Sequence, residues 1–150
     1  MKHTPSYAIV PELPSGRLRI GFDLVKISGV TESLSQFGDG FRLRLFTEGE
    51  LQYADSGDGV CSERLAARFA AKEAVIKALD LANEGVNWRD IEVKKRGSGA
   101  CELVFHGRVA ELMAHMDIEQ VALSLSHDGD YAGAFVTVLC KASASGELNS

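Results

Sequence analysis

The 150-residue sequence contains little of several things: three prolines, three cysteines, one tryptophan, and aromatic residues at 7%. Cys61, Cys101 and Cys140 are odd in number and far apart, with no C-x-x-C or Cys/His ligand spacing. Neither a disulfide framework nor a zinc site is supported, and reduced, packed thiols are expected. No apolar run approaches the roughly 20 residues that a membrane helix needs. The first twenty residues carry Pro5, Glu12 and Pro14 and no apolar stretch of leader length, so a cytoplasmic location is expected. Positive charge is in deficit, 16 Lys and Arg against 21 Asp and Glu for a net −5. Such a chain has no global electrostatic attraction to nucleic acid or to an anionic membrane, and any phosphate must be held by a local basic cluster. Gly-Asp-Gly at 38–40 and 57–59 and Gly-Ser-Gly at 97–99 match neither the P-loop nor the dinucleotide fingerprint and read as turns. Ser126 and His127 are neighbours without a G-x-S-x-G elbow, which leaves a serine-hydrolase triad unsupported.

Apolar residues at 45% and charged residues at 25% are the balance of a globular chain. One domain is expected over 1–150, with an ordered core from about 17 to 140 and loosely held ends at 1–15 and 142–150. Arg17 to Val25 alternates, with Leu18, Ile20, Phe22 and Leu24 on the face expected to be buried and Arg19, Gly21 and Asp23 on the other. Gly29 to Phe46 reads as short helical pieces interrupted at Gly38 and Gly40. Thr47 with Glu50 three residues on forms a capping box for a helix to about Ala54. Ser56 to Gly59 reads as a loop. Ser62 to Leu81, free of Gly and Pro, is the one long helix. Strands are expected at Asp90–Lys95, Ala100–Phe105, Gln120–Ser126 and Tyr131–Leu139, with a short helix at Arg108–Met116 and a hairpin at His127–Asp130. One strand, helices, then antiparallel strands describe an α+β domain.

On the long helix, Leu65, Phe69, Ile76 and Leu79 fall in one stripe, taken as the core face. Lys72 projects into its middle, Glu73 sits at its edge, Lys77 lies just beyond and Arg68 flanks the other side. A charge amid an apolar stripe is unfavourable unless it is paired, snorkels or meets a ligand. Glu73 and Lys77 also read as an ordinary i,i+4 pair worth about 0.3–0.5 kcal/mol on an exposed helix. Asp23 alone reads as an unremarkable acid on a strand's polar face, and His127 alone as a polar turn residue. Together, a strand carboxylate and a helix carboxylate with Lys and Arg nearby suit a magnesium ion that also takes phosphate oxygens and water.

Four segments form a recognisable pattern: Ile20-Gly21-Phe22-Asp23-Leu24-Val25; Phe41-x-x-Arg44-Leu45-Phe46-Thr47-x-x-Glu50-Leu51; Glu63-Arg64-Leu65-Ala66-Ala67-Arg68-Phe69-Ala70-Ala71-Lys72-Glu73-Ala74 with Lys77; and Ser124-Leu125-Ser126-His127-Asp128. In this order, over about residues 18–139, they resemble the holo-acyl-carrier-protein synthase family of 4′-phosphopantetheinyl transferases. The resemblance implies an α+β transferase fold with one long helix packed on an antiparallel sheet, and a homotrimer with its sites between subunits. It implies transfer of phosphopantetheine from coenzyme A to a serine of an apo acyl carrier protein, with release of adenosine 3′,5′-bisphosphate. By the motifs, Asp23 and Glu73 would ligand Mg²⁺, and Lys77 would stand near the reacting phosphate. Arg68, Lys72, Ser126 and His127 would line coenzyme A. Glu73 or a metal-held water would take the serine proton. A non-catalytic coenzyme A or carrier-binding protein of the same fold is the alternative.

Three positions depart from the family pattern. Gly29 and Gly40 stand where basic residues are usual, and Asp80-Leu81-Ala82-Asn83-Glu84-Gly85 replaces a Gly-Thr-Gly loop. Carriers of this kind present an acidic helix, so docking is expected to lean on Lys26, Arg42 and Arg44 and to favour a dedicated, less acidic carrier.

Overall fold

A computed structural model describes residues 18–141; the two ends expected to be loosely held lie outside the described residues. The chain runs β1 (Leu18–Lys26), α1 (Ile27–Phe37), α2 (Asp39–Leu45), α3 (Glu48–Asp55), α4 (Cys61–Leu79), a 3₁₀ turn (Trp88–Asp90), β2 (Ile91–Lys95), β3 (Cys101–Phe105), α5 (Gly107–Ala114), β4 (Ile118–Asp128) and β5 (Tyr131–Cys140). β1, β5 and β4 form an antiparallel sheet in that order, and β2 and β3 form a separate hairpin. α4 lies across β1 and β5. The fold is α+β, as the sequence led us to expect.

Several local features follow directly from sequence. Thr47 accepts from the Glu50 backbone N–H at 3.2 Å while the Glu50 side chain accepts from the Thr47 N–H at 2.9 Å, the reciprocal capping box that starts α3. Gly38, at φ +52°, separates α1 from α2, whereas Gly40, expected as a second interruption, sits inside α2. α4 ends at Leu79, two residues before the expected end at Leu81, with Asp80 capping it in the left-handed conformation. The hairpin turn is Gly129-Asp130, and His127 lies on β4 opposite Ala132, not in the turn. All three cysteines are free.

β1 is turned over relative to expectation. Leu18, Ile20, Phe22 and Leu24 are 47, 55, 52 and 58% exposed, and Gly21 is the buried residue. The reason is α4. A Cβ at Gly21 would stand 1.8 Å from the Ala74 carbonyl oxygen, so only glycine admits the helix backbone this close. α4 meets the sheet through its small residues, Ala70, Ala71, Ala74 and Ala78, against Ala134, Val136 and Val138. Of the expected stripe, Leu65 and Leu79 are buried while Phe69 and Ile76 are half-buried. The displaced apolar side chains of β1 face outward beside those of β5, Leu18 opposite Leu139 and Phe22 opposite Phe135.

Candidate active site

The close crossing of β1 and α4 brings three of the expected residues together. Asp23 is two residues beyond Gly21, on the face turned toward α4. Glu73 and Lys77 are one helical turn apart and flank Ala74 and Ala78, the backbone neighbours of Gly21. Lys77 Nζ donates to Asp23 Oδ1 at 2.7 Å and to the Phe22 carbonyl at 3.1 Å. The hydrogen bond to Asp23 holds the Lys77 ammonium above its usual range. Burial, then the charge of Asp23, pushes the Glu73 carboxyl up, with Lys77 opposing.

Two carboxylates that repel each other this way favour a cation between them. Among the described residues no group of three or more His, Cys, Asp and Glu could hold a metal ion, so the protein offers a pair and not a closed cage. An open pair of hard oxygen ligands, completed by phosphate and water, fits Mg²⁺.

His127, on β4, points to the same side of its sheet as Asp23, and its Nε2 stands 2.7 Å from Glu63 Oε1 near the start of α4. Glu63 belongs to the helix motif, and its pairing with a residue 64 positions on is invisible to local spacing. Ser126, one residue earlier, alternates to the opposite side. There it lines an outward cavity of about 280 Å³ with Phe22, Leu24 and Tyr131, whose rim His127 also reaches; Asp23, Glu73 and Lys77 do not line it.

Arg68 and Lys72 lie one turn apart on another side of α4, and neither reaches that cluster. Arg68 is buried, its guanidinium 4.2 Å from the Tyr53 ring centre, with Arg64 at 4.1 Å and Lys95 at 5.3 Å from the same ring. Burial lowers its pKa, and its Nε is buried without a partner. This is a local basic cluster of the kind an acidic chain needs to hold phosphate.

Lys72 departs from the expected contact with coenzyme A. Its side chain is 0% exposed, and Nζ donates to Glu50 Oε1 at 2.8 Å, to the Trp88 carbonyl at 3.1 Å and to the Ile91 carbonyl. An ammonium has three protons, and here all are taken inside the protein. A lysine in an apolar stripe signals that some partner exists, but Glu50 is 22 residues away and was legible only as a helix cap.

The expected docking cations divide. Lys26 and Arg44 are exposed, Arg44 beside a groove of about 370 Å³ lined by Phe37, Phe41 and Leu45. Arg42 instead grips Asp55 with both terminal nitrogens, at 2.5 and 3.1 Å.

A family model described as the 4′-phosphopantetheinyl transferase superfamily matches residues 19–136. The chain is 41% identical over 121 residues to the holo-[acyl-carrier-protein] synthase of Gloeobacter violaceus, covering 81% of this chain and 92% of that one. It is 39% identical over 120 residues to the enzyme of that name from Koribacter versatilis, covering 79% and 95%. Among solved structures, the ACPS–CoA complex of Chronobacterium ammoniagenes superposes with a TM-score of 0.73 at 37% identity, covering 83% of this chain and 98% of that one. The Helicobacter pylori holo-[acyl-carrier-protein] synthase in complex with coenzyme A gives 0.69 at 28% identity, covering 79% and 98%.

Proposed function

The chain belongs to the 4′-phosphopantetheinyl transferase superfamily, and from that premise we propose the reaction its site performs. It is a holo-[acyl-carrier-protein] synthase that moves the 4′-phosphopantetheine group of coenzyme A onto a serine hydroxyl of an apo acyl carrier protein and releases adenosine 3′,5′-bisphosphate. The observation that carries this reading is the meeting of Asp23, Glu73 and Lys77 at the β1–α4 crossing. A protein that merely bound coenzyme A or a carrier would not need a repelling carboxylate pair with a lysine held beside it.

In the reaction the serine oxygen bonds to the β-phosphorus, and the bond from that phosphorus to the bridging oxygen breaks. The departing nucleotide keeps the bonding electrons, and the serine gives up its proton. Positioning and charge neutralisation dominate such transfers. Asp23 and Glu73 would hold Mg²⁺, which when bound offsets the charge of the coenzyme A pyrophosphate. Lys77, held on Asp23 and the Phe22 carbonyl in the free protein, has an exposed ammonium able to turn to the phosphates as negative charge grows on the leaving group. Glu73 is the acceptor this chain offers for the serine proton. His127, aligned by Glu63, and Arg68, with its unpaired Nε, are suited to the remaining phosphate oxygens.

The outward apolar face of β1 and β5 supports self-association. Leu18, Ile20, Phe22, Leu24, Phe135 and Leu139 form a contiguous patch of the kind monomers rarely expose. A homotrimer would bury it and place the cavity at Ser126 between subunits. The working compartment is the cytoplasm, where coenzyme A and carriers meet; no helix among the described residues is long and apolar enough to cross a membrane.

Mass spectrometry of a panel of apo carriers incubated with the protein, coenzyme A and Mg²⁺ tests the reading. A phosphopantetheine adduct on serine is expected for at least one carrier. No adduct on any, with coenzyme A still bound, would favour the binding-protein alternative.

A further inference from the structure

Lys72 and Glu50 form an ion pair with neither side chain exposed to water. Both are fully partnered. Lys72 uses its three protons on Glu50 and on the Trp88 and Ile91 carbonyls. Glu50 Oε1 also accepts from the Thr47 N–H, and Oε2 from the Val93 N–H at 3.0 Å. A buried pair of this kind is no better for stability than well-packed apolar residues of the same volume. What it supplies is a direction, because every acceptor of Lys72 belongs to α3, the 3₁₀ turn or β2, and none to the β1–β5–β4 sheet.

That direction bears on the site through helix geometry. Lys72 and Glu73 are consecutive, about 100° apart around α4, and Lys77 is about 140° from Lys72 on the same sense. Fixing the Lys72 side chain on α3 and β2 therefore fixes Glu73 and Lys77 toward β1. On the β1 side the helix is held by the backbone approach at Gly21. That contact sets the distance between the elements, but smooth alanines around it oppose rotation weakly. We infer that the buried Glu50–Lys72 pair is a positioning device that sets the rotation of α4, so that Glu73 and Lys77 are aimed at Asp23. Lys72 serves the reaction through its neighbours in the helix and not by touching phosphate. The inference rests on the reading of Asp23, Glu73 and Lys77 as the reaction centre.

The test is the double variant Glu50→Gln/Lys72→Met. It keeps side-chain volume and removes both charges together, and the glutamine carbonyl oxygen can still accept from one of the two backbone N–H groups that Glu50 serves, those of Thr47 and Val93. Two measurements are needed: kcat for carrier modification with Mg²⁺ present, and the calorimetric affinity for coenzyme A with Mg²⁺ absent, so that the metal held by Glu73 does not enter the affinity. With Glu73 and Lys77 misaimed, kcat should fall about 100-fold, while coenzyme A affinity stays within threefold of wild type. A kcat within threefold of wild type overturns the inference. So does a loss confined to coenzyme A affinity, the outcome expected if Lys72 touched phosphate. If the double variant does not fold, Glu50→Asp carries the same test, since it keeps the charge but withdraws the anchor by one methylene; a lowered kcat with unchanged affinity supports the inference, and an unchanged kcat overturns it. Asp23→Ala separates the two levels. An inactive Asp23→Ala beside a fully active double variant refutes the positioning role alone, whereas an active Asp23→Ala refutes the reaction centre and the inference with it.

Discussion

Gly21 of β1 faces Ala74 of α4 so closely that a Cβ on the glycine would stand 1.8 Å from the alanine carbonyl oxygen. This single approach places Asp23 against Glu73 and Lys77, since each lies one or two residues from the contact. Gly21→Ala is expected to push β1 off α4. Overpacking against backbone costs about 1–3 kcal/mol or more, because the carbonyl cannot swing away as a side chain would. Urea unfolding should show that loss, and residual folded protein should transfer phosphopantetheine slowly, with the Asp23–Lys77 contact stretched.

Asp23→Ala and Glu73→Ala should each abolish most transfer while leaving the melting temperature nearly unchanged, because both carboxylates border solvent and Glu73 sheds a repelling neighbour. Lys77→Ala should lower kcat about 100-fold with little effect on coenzyme A affinity, as expected for a donor that matters most when charge develops. His127→Ala and Arg68→Ala should chiefly weaken coenzyme A binding. Steady-state constants for the five variants check the division; near-normal rates for both carboxylate variants at saturating Mg²⁺ would remove the metal assignment.

The buried pair separates stability from orientation. Lys72→Met alone strands the Glu50 carboxylate in a site closed to solvent and should cost about 3–5 kcal/mol. Adding Glu50→Gln should recover most of that loss. Denaturant unfolding of the single and double variants measures the coupling, and additive losses would mean that the two residues act independently.

The sequence made the order of elements, the α3 cap and the long helix legible because those depend on near neighbours. It also showed that Asp23, Glu73 and Lys77 could meet. The facing of β1 was misread, since alternation tells which residues share a face and not which face is inward. Here the inward face had to be thin, so Gly21 won over Leu18, Ile20, Phe22 and Leu24. Lys72 was misplaced for a related reason. Its anomaly on the apolar stripe was visible, but the acceptors that resolve it come from Glu50, Trp88 and Ile91, up to 22 residues away.

Glu92 should give the fold part of its acid sensitivity. Burial alone would raise its pKa, but hydrogen bonds involving Thr47 and His106, with Lys94 nearby, hold it below the ordinary 4.5. A carboxylate with a depressed folded pKa contributes stability in full above its unfolded pKa and loses it as pH falls through the folded value. Glu92→Gln should therefore lower the melting temperature at neutral pH, and the gap from wild type should close as pH drops below the usual carboxylate range. A gap that persists unchanged at low pH would show that the contact works through shape and not charge.

The outward face of β1 and β5 predicts association. Phe22 lies opposite Phe135 in the sheet, and both are about half exposed in a single chain. Wild type is expected to sediment as a trimer, and Phe22→Glu as a monomer. Transfer should fall with it if the cavity at Ser126 is completed by a second subunit. A monomeric wild type, or a fully active monomeric variant, would refute an interfacial site.

Carrier choice is the last consequence. Of three expected docking cations, Arg42 is neutralised by Asp55, Lys26 is exposed at the end of β1 with its charge near Asp130, and Arg44 borders the groove that Phe37 and Phe41 line. Phe37 on this groove is 65% exposed, and Phe41 and Leu45 line it beside one cation, so this face offers apolar contact more than charge. Nothing lies within 4 Å of a Cβ at Gly40, and at Gly29 the nearest atom is the Lys26 Cβ at 3.7 Å, so arginine fits either position. Rim charges act mainly on association rate and its salt dependence. Wild type is therefore expected to dock weakly, and with little salt sensitivity, on a strongly acidic carrier, and to prefer a less acidic one. Gly29→Arg should raise kcat/KM for the acidic carrier at low salt, steepen its decline with ionic strength, and leave the less acidic carrier nearly unaffected. A wild type that already prefers the acidic carrier with a steep salt dependence would mean that Lys26 and Arg44 suffice, and that the two glycines are neutral.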